Sequence, residues 1–408
     1  MTQDRALEIL KSGVNVFLTG EPGAGKTHTV NRFVEWMRMQ GKQYAITAST
    51  GIAATHIGGT TIHSWAGMGI KRKISENAIA TLQSNEFTMR RICSPRVLII
   101  DEISMLDATF IDNLDYVLQE VRQSPLPFGG MQVIFVGDFF QLPPVVKEGE
   151  MRFAFESDSW KSAAPQVCYL TEQHRQSDGE FLDILSSMRA GTITEAHKAR
   201  LAAAIKEPED QPETCLFTHN VDVDRVNDVE LGRIEGEAHS FRMESGGVPF
   251  LVERLKSSCL APETLMLKVG ATVMFVRNNF EEGYVNGTIG HVVAFNGYGY
   301  PVVETKDGRR IVPEMAEWKI EEHGRSVAHI RQIPLRLAWA ITVHKSQGMS
   351  LDAASVDLSR AFECGQGYVA ISRVRTLEGL HLEGINEKAF EMHPKVVEMD
   401  KVFRETGI

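Results

Sequence analysis

Residues Gly20 to Thr27 read GEPGAGKT, which fits the phosphate-loop pattern G-x-x-x-x-G-K-[ST]. Its glycines let successive backbone N–H groups turn inward around phosphate oxygens. Glu21, Pro22, Gly23, Ala24 and Gly25 make the turn, Lys26 supplies a cation to the outer phosphates, and Thr27 offers a hydroxyl to Mg2+. The chemistry implied is binding of ATP or GTP. A second acidic site follows an apolar run, RVLIIDE. Asp101 is placed to hold Mg2+, and Glu102 to orient or deprotonate an attacking water. A third run, MQVIFVGDFFQLPPV, carries Gln141 just past its end, where an amide can touch a γ-phosphate and sense its loss. Two prolines stiffen that loop.

The elements that must position these groups are legible as alternation. VNVFLTG reads as a buried strand and HTVNRFVEWMRMQG as a helix closed by glycine. YAITAS, RVLIIDE and MQVIFVGD are further short apolar runs, each ending in small or acidic residues. Buried strands separated by helices imply a parallel sheet covered on both faces, with ligands at the carboxyl ends of the strands. A second alternating region begins near Thr171, with TCLFTHN as a strand and VDVDRVNDVELGRI as a helix. It resumes with AASVDLS, QGYVAISR and GLHLEG. Between Ala271 and Pro334 several short strands at close spacing predict a small β-barrel inserted into this second region. After Gly384 no motif is interpretable.

With 408 residues the chain is long enough for two or three domains, and its 43% hydrophobic and 24% charged content is that of a soluble globular protein. No run approaches the roughly 18 apolar residues of a membrane span, and the N-terminus lacks the layout of a secretory signal. Five scattered cysteines without a C-x-x-C pair argue against a disulfide framework or zinc site, and for a reducing, cytoplasmic compartment. A net charge of -10 speaks against a polyanion partner. Charge acts locally, however, and Ser64 to Arg96 holds Lys71, Arg72, Lys73, Arg90, Arg91 and Arg96 against only Glu76 and Glu86. Charge leaves a nucleic-acid partner open.

Taken together, these segments resemble the petite-integration-frequency (Pif-type) DNA helicases, in the 5′-to-3′ branch of helicase superfamily one. GEPGAGKT is similar to motif I, ASTGIAA to motif Ia, and GGTTIHSW to the segment after it. DEISMLD resembles motif II, LTEQHRQSD motif IV, PLRLAWAITVHKSQGMSLD motif V and GYVAISRVRT motif VI. FGGMQVIFVGDFFQLPPV and AWAITVHKSQG are the most specific strings. RecD-type helicases share the outline but match these two strings less well.

The resemblance implies an ATP-dependent DNA helicase with ATP and Mg2+ as cofactors. It would work on single-stranded and forked or partial duplex DNA, as a monomer, away from membranes, in repair, recombination, replication or telomere maintenance. It implies two tandem RecA-like lobes. The first would comprise residues 1–63 and 97–170, with a small basic wedge insertion at 64–96. The second would comprise 171–267 and 335–408, with a Src-homology-three-like barrel at 268–334. Arg175 and Arg373 would be arginine fingers stabilising transition-state charge. Gln3, twelve residues before Asn15, would read adenine. Thr50, Gly51, His63, Ser64, His344, Lys345, Ser346 and Gln347 would contact DNA, chiefly its phosphates, while Trp65, Phe139 and Phe140 fit a core better than a base-stacking platform. Two other functions stay open, a nucleotide-dependent switch that never translocates and an RNA helicase on the same lobes.

Overall fold

The computed structural model describes the chain except residues 69–73, 145–149, 173–177, 205–213, 219, 280, 285, 306, 323–324, 344–345, 347–350 and 408. The chain divides into two compact units. The first comprises residues 1–192, 363–368 and 390–408, and the second 193–362 and 369–389.

The first unit is built on six parallel strands. They are β1 (Val16–Gly20), β2 (Tyr44–Ala48), β3 (Thr60–Thr61), β4 (Val97–Asp101), β5 (Gln132–Val136) and β6 (Gln166–Leu170), in the order β3-β2-β4-β5-β1-β6. Their near-continuous apolar sequences follow from burial on both faces. Alternate side chains of β1 serve opposite layers. Val16 and Leu18 pack with Ala6 and Leu10 of α1 (Gln3–Lys11) and with Val30 and Phe33 of α2 (Lys26–Met39). Phe17 points the other way, into an aromatic cluster with Phe139, Trp160 and Phe403. Three short or paired helical elements follow β2 and β3. These are α3 (Gly51–His56), α4 (Ile62–Ala66) and the hairpin of α5 (Glu76–Ser84) and α6 (Glu86–Cys93), whose starts are capped by Ser75 and Asn85. Helix α7 (Ala108–Arg122) packs on α4, α5 and α6 and on α8 (Asp158–Ala163), and α9 (Gly179–Ala190) follows β6.

The second unit begins with α10 (Glu195–Ala202). It has its own parallel sheet of β7 (Cys215–Phe217), β18 (Ala340–Thr342), β19 (Ala354–Leu358) and β20 (Leu380–Ile385), ordered β18-β7-β19-β20. The helix α11 (Asn220–Arg233) is pinned to the edge strand by the Asn227 amide. That amide donates to the Ala340 carbonyl and accepts from the Ala340 N–H, each at 3.0 Å, as a neighbouring strand would. Between β7 and β18 lie antiparallel strands. β11 (Thr272–Phe275), β12 (Ile289–Phe295), β13 (Pro301–Thr305), β14 (Arg310–Ile311) and β17 (Leu335–Leu337) form one five-stranded sheet over a core of Val273, Phe275, Val292, Val303 and Leu335. Further antiparallel pairing joins β8 (His239–Arg242) to β10 (Thr264–Leu267), and β9 (Glu244–Gly247) to the hairpin β15 (Ala316–Glu322) and β16 (Arg325–Gln332). The helix α12 (Pro249–Ser258) packs on β16 and β9.

Three boundaries differ from the expectation. Antiparallel pairing starts at His239 rather than near residue 268, because β8 and β9 find their partners in β10 and β16. Helix α9, expected in the second lobe, belongs to the first unit, where its Arg189 binds Asp138. Finally, the last residues return to the first unit as α14 (Pro394–Thr406). Its Phe403 ring lies 4.9 Å from that of Phe17.

Candidate active site

The carboxyl ends of parallel strands all open on one edge of a sheet, so β1, β4 and β5 deliver three segments to one place. β1 runs straight into the phosphate loop. At Gly20 the backbone has φ 149°, and a Cβ there would stand 2.7 Å from the Leu170 carbonyl oxygen, so only glycine permits the approach of β6. Gly25 sits at φ 87° as the residue before α2, which starts without a side-chain cap. The first-turn N–H groups of α2 are thus left for an anion. Lys26 bends back over the loop and donates to the carbonyls of Gly20 (2.8 Å) and Glu21 (3.2 Å). Thr27 is exposed at the second position of the helix, while Pro22 and Ala24 are buried beneath the turn.

Gln3 lies against this loop. Its side chain is buried, its amide donates to the Ala24 carbonyl at 3.4 Å, and its backbone N–H donates to Glu172 at 3.1 Å. The chain before it is held by pairing of the Thr171 N–H with the Met1 carbonyl at 3.2 Å. A Cβ on Gly25 would stand 2.1 Å from the Gln3 amide nitrogen, so the two residues share one space.

At the end of β4, burial pushes the Asp101 carboxyl up to about 6, against the Glu102 N–H and the Lys26 charge, which pull it down. A carboxylate at the end of β4, on the same sheet edge as the loop that carries Thr27, fits Mg2+. That ion takes one or two carboxylates together with phosphate oxygens and water. Among the described residues no group of three or more His, Cys, Asp or Glu that could hold a metal occurs. Glu102 adopts φ 52° and ψ 47°, a left-handed conformation costing a non-glycine residue about 1–2 kcal/mol. Past β5, Gln141 is buried and its N–H donates to the Asp138 carbonyl at 3.0 Å.

The other expected residues fall into three groups. Thr50 and Gly51 follow β2, His63 and Ser64 follow β3, and these strands are neighbours in parallel register, with Thr47 opposite Thr60. All four therefore lie on the edge that bears the phosphate loop, partly exposed. Thr50 accepts from the Ala53 N–H, and the His63 ring lies 4.3 Å from that of Phe110. Ser346 is fully buried, and its hydroxyl donates to the Val343 carbonyl at 2.8 Å. Arg373, in the second unit, is also buried, with Nε donating to the Val369 carbonyl and Nη2 to the Ser372 hydroxyl, both at 2.9 Å. Arg175, His344, Lys345 and Gln347 lie outside the described residues, as do Lys71, Arg72 and Lys73 of the basic segment. Trp65, Phe139 and Phe140 are buried in the core.

Sequence reasoning passed over a buried polar cluster behind Gln141. Arg189 donates through Nη1 to both oxygens of Asp138 at 2.7 Å, and through Nη2 to the Tyr169 hydroxyl at 2.9 Å. Burial works against the Arg189 charge, and Asp138, then Tyr368, Tyr169 and Asp400, more than offset it. One signal was available. Arg189 falls four residues after Leu185, inside the apolar stripe of Phe181, Ile184, Leu185 and Met188, where a lone cation must find a partner.

A phosphate loop, an acidic pair and a glutamine on one sheet edge, followed by a second parallel α/β sheet, define a phosphate-loop nucleoside triphosphatase with tandem RecA-like lobes. A family model described as PIF1-like helicase matches residues 4–199, and one described as DNA helicase Pif1, 2B domain, matches residues 251–295. The ATP-dependent DNA helicase Pif1 of Psychrobacter sp. is 41% identical, over all of this chain and 71% of that protein. The PIF1 helicase of Xenopus laevis is 38% identical over all of this chain and 65% of its own length. Among solved structures, Bacteroides sp Pif1 in complex with ADP-AlF4 matches with a TM-score of 0.87 and 30% identity, over 99% of this chain and 97% of that one. Bacteroides Pif1 in complex with ADP-AlF3 and ssDNA matches with a TM-score of 0.68 and 30% identity, over 99% and 96%. The chain belongs to the PIF1-like helicase family of ATP-dependent DNA helicases.

Proposed function

We propose that this chain hydrolyses ATP to move 5′ to 3′ along single-stranded DNA and to unwind duplex at forks, acting as a monomer in DNA repair, recombination or replication within a reducing compartment. The observation that carries the reading is the shared sheet edge. Lys26, Asp101 and Glu102 stand at the ends of β1 and β4, while Thr50, Gly51, His63 and Ser64 stand at the ends of β2 and β3. Nucleotide and strand contacts on one rigid edge allow phosphate chemistry to be felt by the DNA. Mg2+ would be held by Thr27 and Asp101, and when bound it neutralises charge on the β- and γ-phosphates.

Lys26 gives up its loop carbonyls to bind the outer phosphates, Glu102 takes the proton of the attacking water, and Gln141 reports the γ-phosphate. Arg373 and Arg175 are assigned the transition-state charge by resemblance to motifs VI and IV. The hairpin of α5 and α6, with its basic flank, is assigned strand separation, and the antiparallel region the closure over DNA. All five cysteines, none in a disulfide, suit the reducing compartment. Among the described residues no helix is long and apolar enough to cross a membrane.

Unwinding of paired substrates with 5′ or 3′ overhangs, with ATP and with a non-hydrolysable analogue, tests the reading. ATP-dependent opening of the 5′-tailed substrate alone is expected. ATPase activity indifferent to single-stranded DNA would instead fit a switch, and preference for matched RNA an RNA helicase.

A further inference from the structure

The buried cluster around Arg189 sits beside the loop that carries Gln141. Asp138 is the last residue but two before Gln141 and sets that loop directly, its carboxylate accepting the Phe140 N–H at 3.1 Å and its carbonyl the Gln141 N–H at 3.0 Å. Arg189 grips this carboxylate with one nitrogen and stacks its guanidinium over the Phe140 ring, 4.2 Å from the centroid. The same nitrogen donates to the Tyr368 hydroxyl at 3.3 Å, and Tyr368 lies on α13 (Gln366–Ile371), the helix that leads to Arg373. The second nitrogen holds Tyr169 on β6 and reaches Asp400 of α14 at 3.5 Å. Gly365 closes the far side of the loop, where a Cβ would stand 2.5 Å from the Phe140 carbonyl oxygen.

A cluster of this kind is poorly explained by stability. Removing two charges from water costs much of what their attraction returns, and well-packed apolar residues often serve a core as well. The Arg189 Nε, moreover, has no hydrogen-bond partner among the described residues, a further cost. What the fork does provide is fixed geometry. One rigid cation with directed donors ties the loop of Gln141 to Tyr169 of β6 and to Tyr368 in a single frame.

We infer that Arg189 is a positioning residue for ATP hydrolysis, which, anchored by the Tyr169 and Tyr368 hydroxyls, holds the loop of Gln141 through Asp138 in the geometry the transition state needs. The inference rests on the proposed role of Gln141.

The test uses the full chain carrying Arg189→Lys, which keeps the charge and loses the fork. Steady-state hydrolysis with single-stranded DNA, ADP binding, and trapping with ADP plus aluminium fluoride are compared with the wild type. Expected is a kcat lowered about 10–100-fold, the scale of a small misplacement of reacting groups. KM for ATP and ADP affinity should stay near wild type, while the aluminium fluoride complex weakens by the same factor as kcat. A purely structural role would reduce the folded fraction and leave kcat per ADP-binding site unchanged, and that result overturns the inference. Should Arg189→Lys fail to bind ADP, the pair Arg189→Gln with Asp138→Asn removes both charges together, and wild-type turnover there overturns it equally. Tyr368→Phe, which removes one hydroxyl and no charge, should shift kcat and trapping in the same direction by a smaller factor, and no shift defeats the Tyr368 arm. Wild-type turnover unmoved by DNA would defeat the helicase reading instead. Absent wild-type turnover would defeat both.

Discussion

Truncating Phe403 to alanine tests whether the returning helix α14 is part of the nucleotide-binding unit. The Phe403 side chain is 8% exposed, and its ring lies 4.9 Å from Phe17, 6.2 Å from Phe139 and 6.0 Å from Phe155. Phe17 belongs to the strand that ends in the phosphate loop, and Phe139 to the loop of Gln141. Loss of a buried phenyl ring costs about 3–5 kcal/mol through lost transfer energy and the cavity left behind. The lower end applies, because α14 lies on the outside of the unit and can settle inward. At about 2–4 °C per kcal/mol for a domain of this size, the transition should fall by about 6–12 °C. The assay is thermal unfolding followed by intrinsic fluorescence, with the relevant transition identified as the one that added ADP raises, since ligand stabilises only the state that binds it. Val402→Ala on the same helix is the control, for Val402 is 44% exposed and its truncation should change stability by about 0.5 kcal/mol or less. Equal midpoints for the two variants, or a larger loss at Val402, would refute the docking of α14 through its aromatic face.

Lys26→Ala should abolish hydrolysis while much of the salt-sensitive DNA binding survives, and normal turnover in that variant would remove the phosphate-loop assignment. Glu102→Gln should lower kcat about 10²–10⁴-fold with ATP affinity nearly unchanged, the range for loss of a general base, as measured by single-turnover hydrolysis. Thiol labelling of the native protein at mildly alkaline pH should modify the exposed Cys93 and spare Cys168. Burial pushes the Cys168 thiol up to about 12, so almost no thiolate forms and access is blocked. Rapid labelling of Cys168 without unfolding would contradict the core packing.

What the sequence made legible was local. The runs VNVFLTG, RVLIIDE and MQVIFVGD announced buried strands because burial on both faces demands continuous apolar residues, and the phosphate loop announced itself because backbone donors need glycine at fixed spacing. Gln3 was singled out only through the family resemblance, and its fit against Gly25 was not legible, since that fit depends on how α1 lies across the loop. Long-range pairing escaped. Glu244 pairs with Arg331 and Tyr169 meets Asp400, and no period in a linear string records such partners. Arg189 shows the same limit, for a cation within an apolar stripe signals a buried partner without naming it.

The return of α14 also bears on how the molecule is made. Synthesis from the N-terminus delivers the six strands of the first unit early, but the ring that covers Phe17 is encoded beyond the whole of the second unit. Until residue 403 clears the ribosome, the sheet face behind the nucleotide loop has an uncovered greasy flank. Nascent chains halted before that point should be the species most in need of a chaperone.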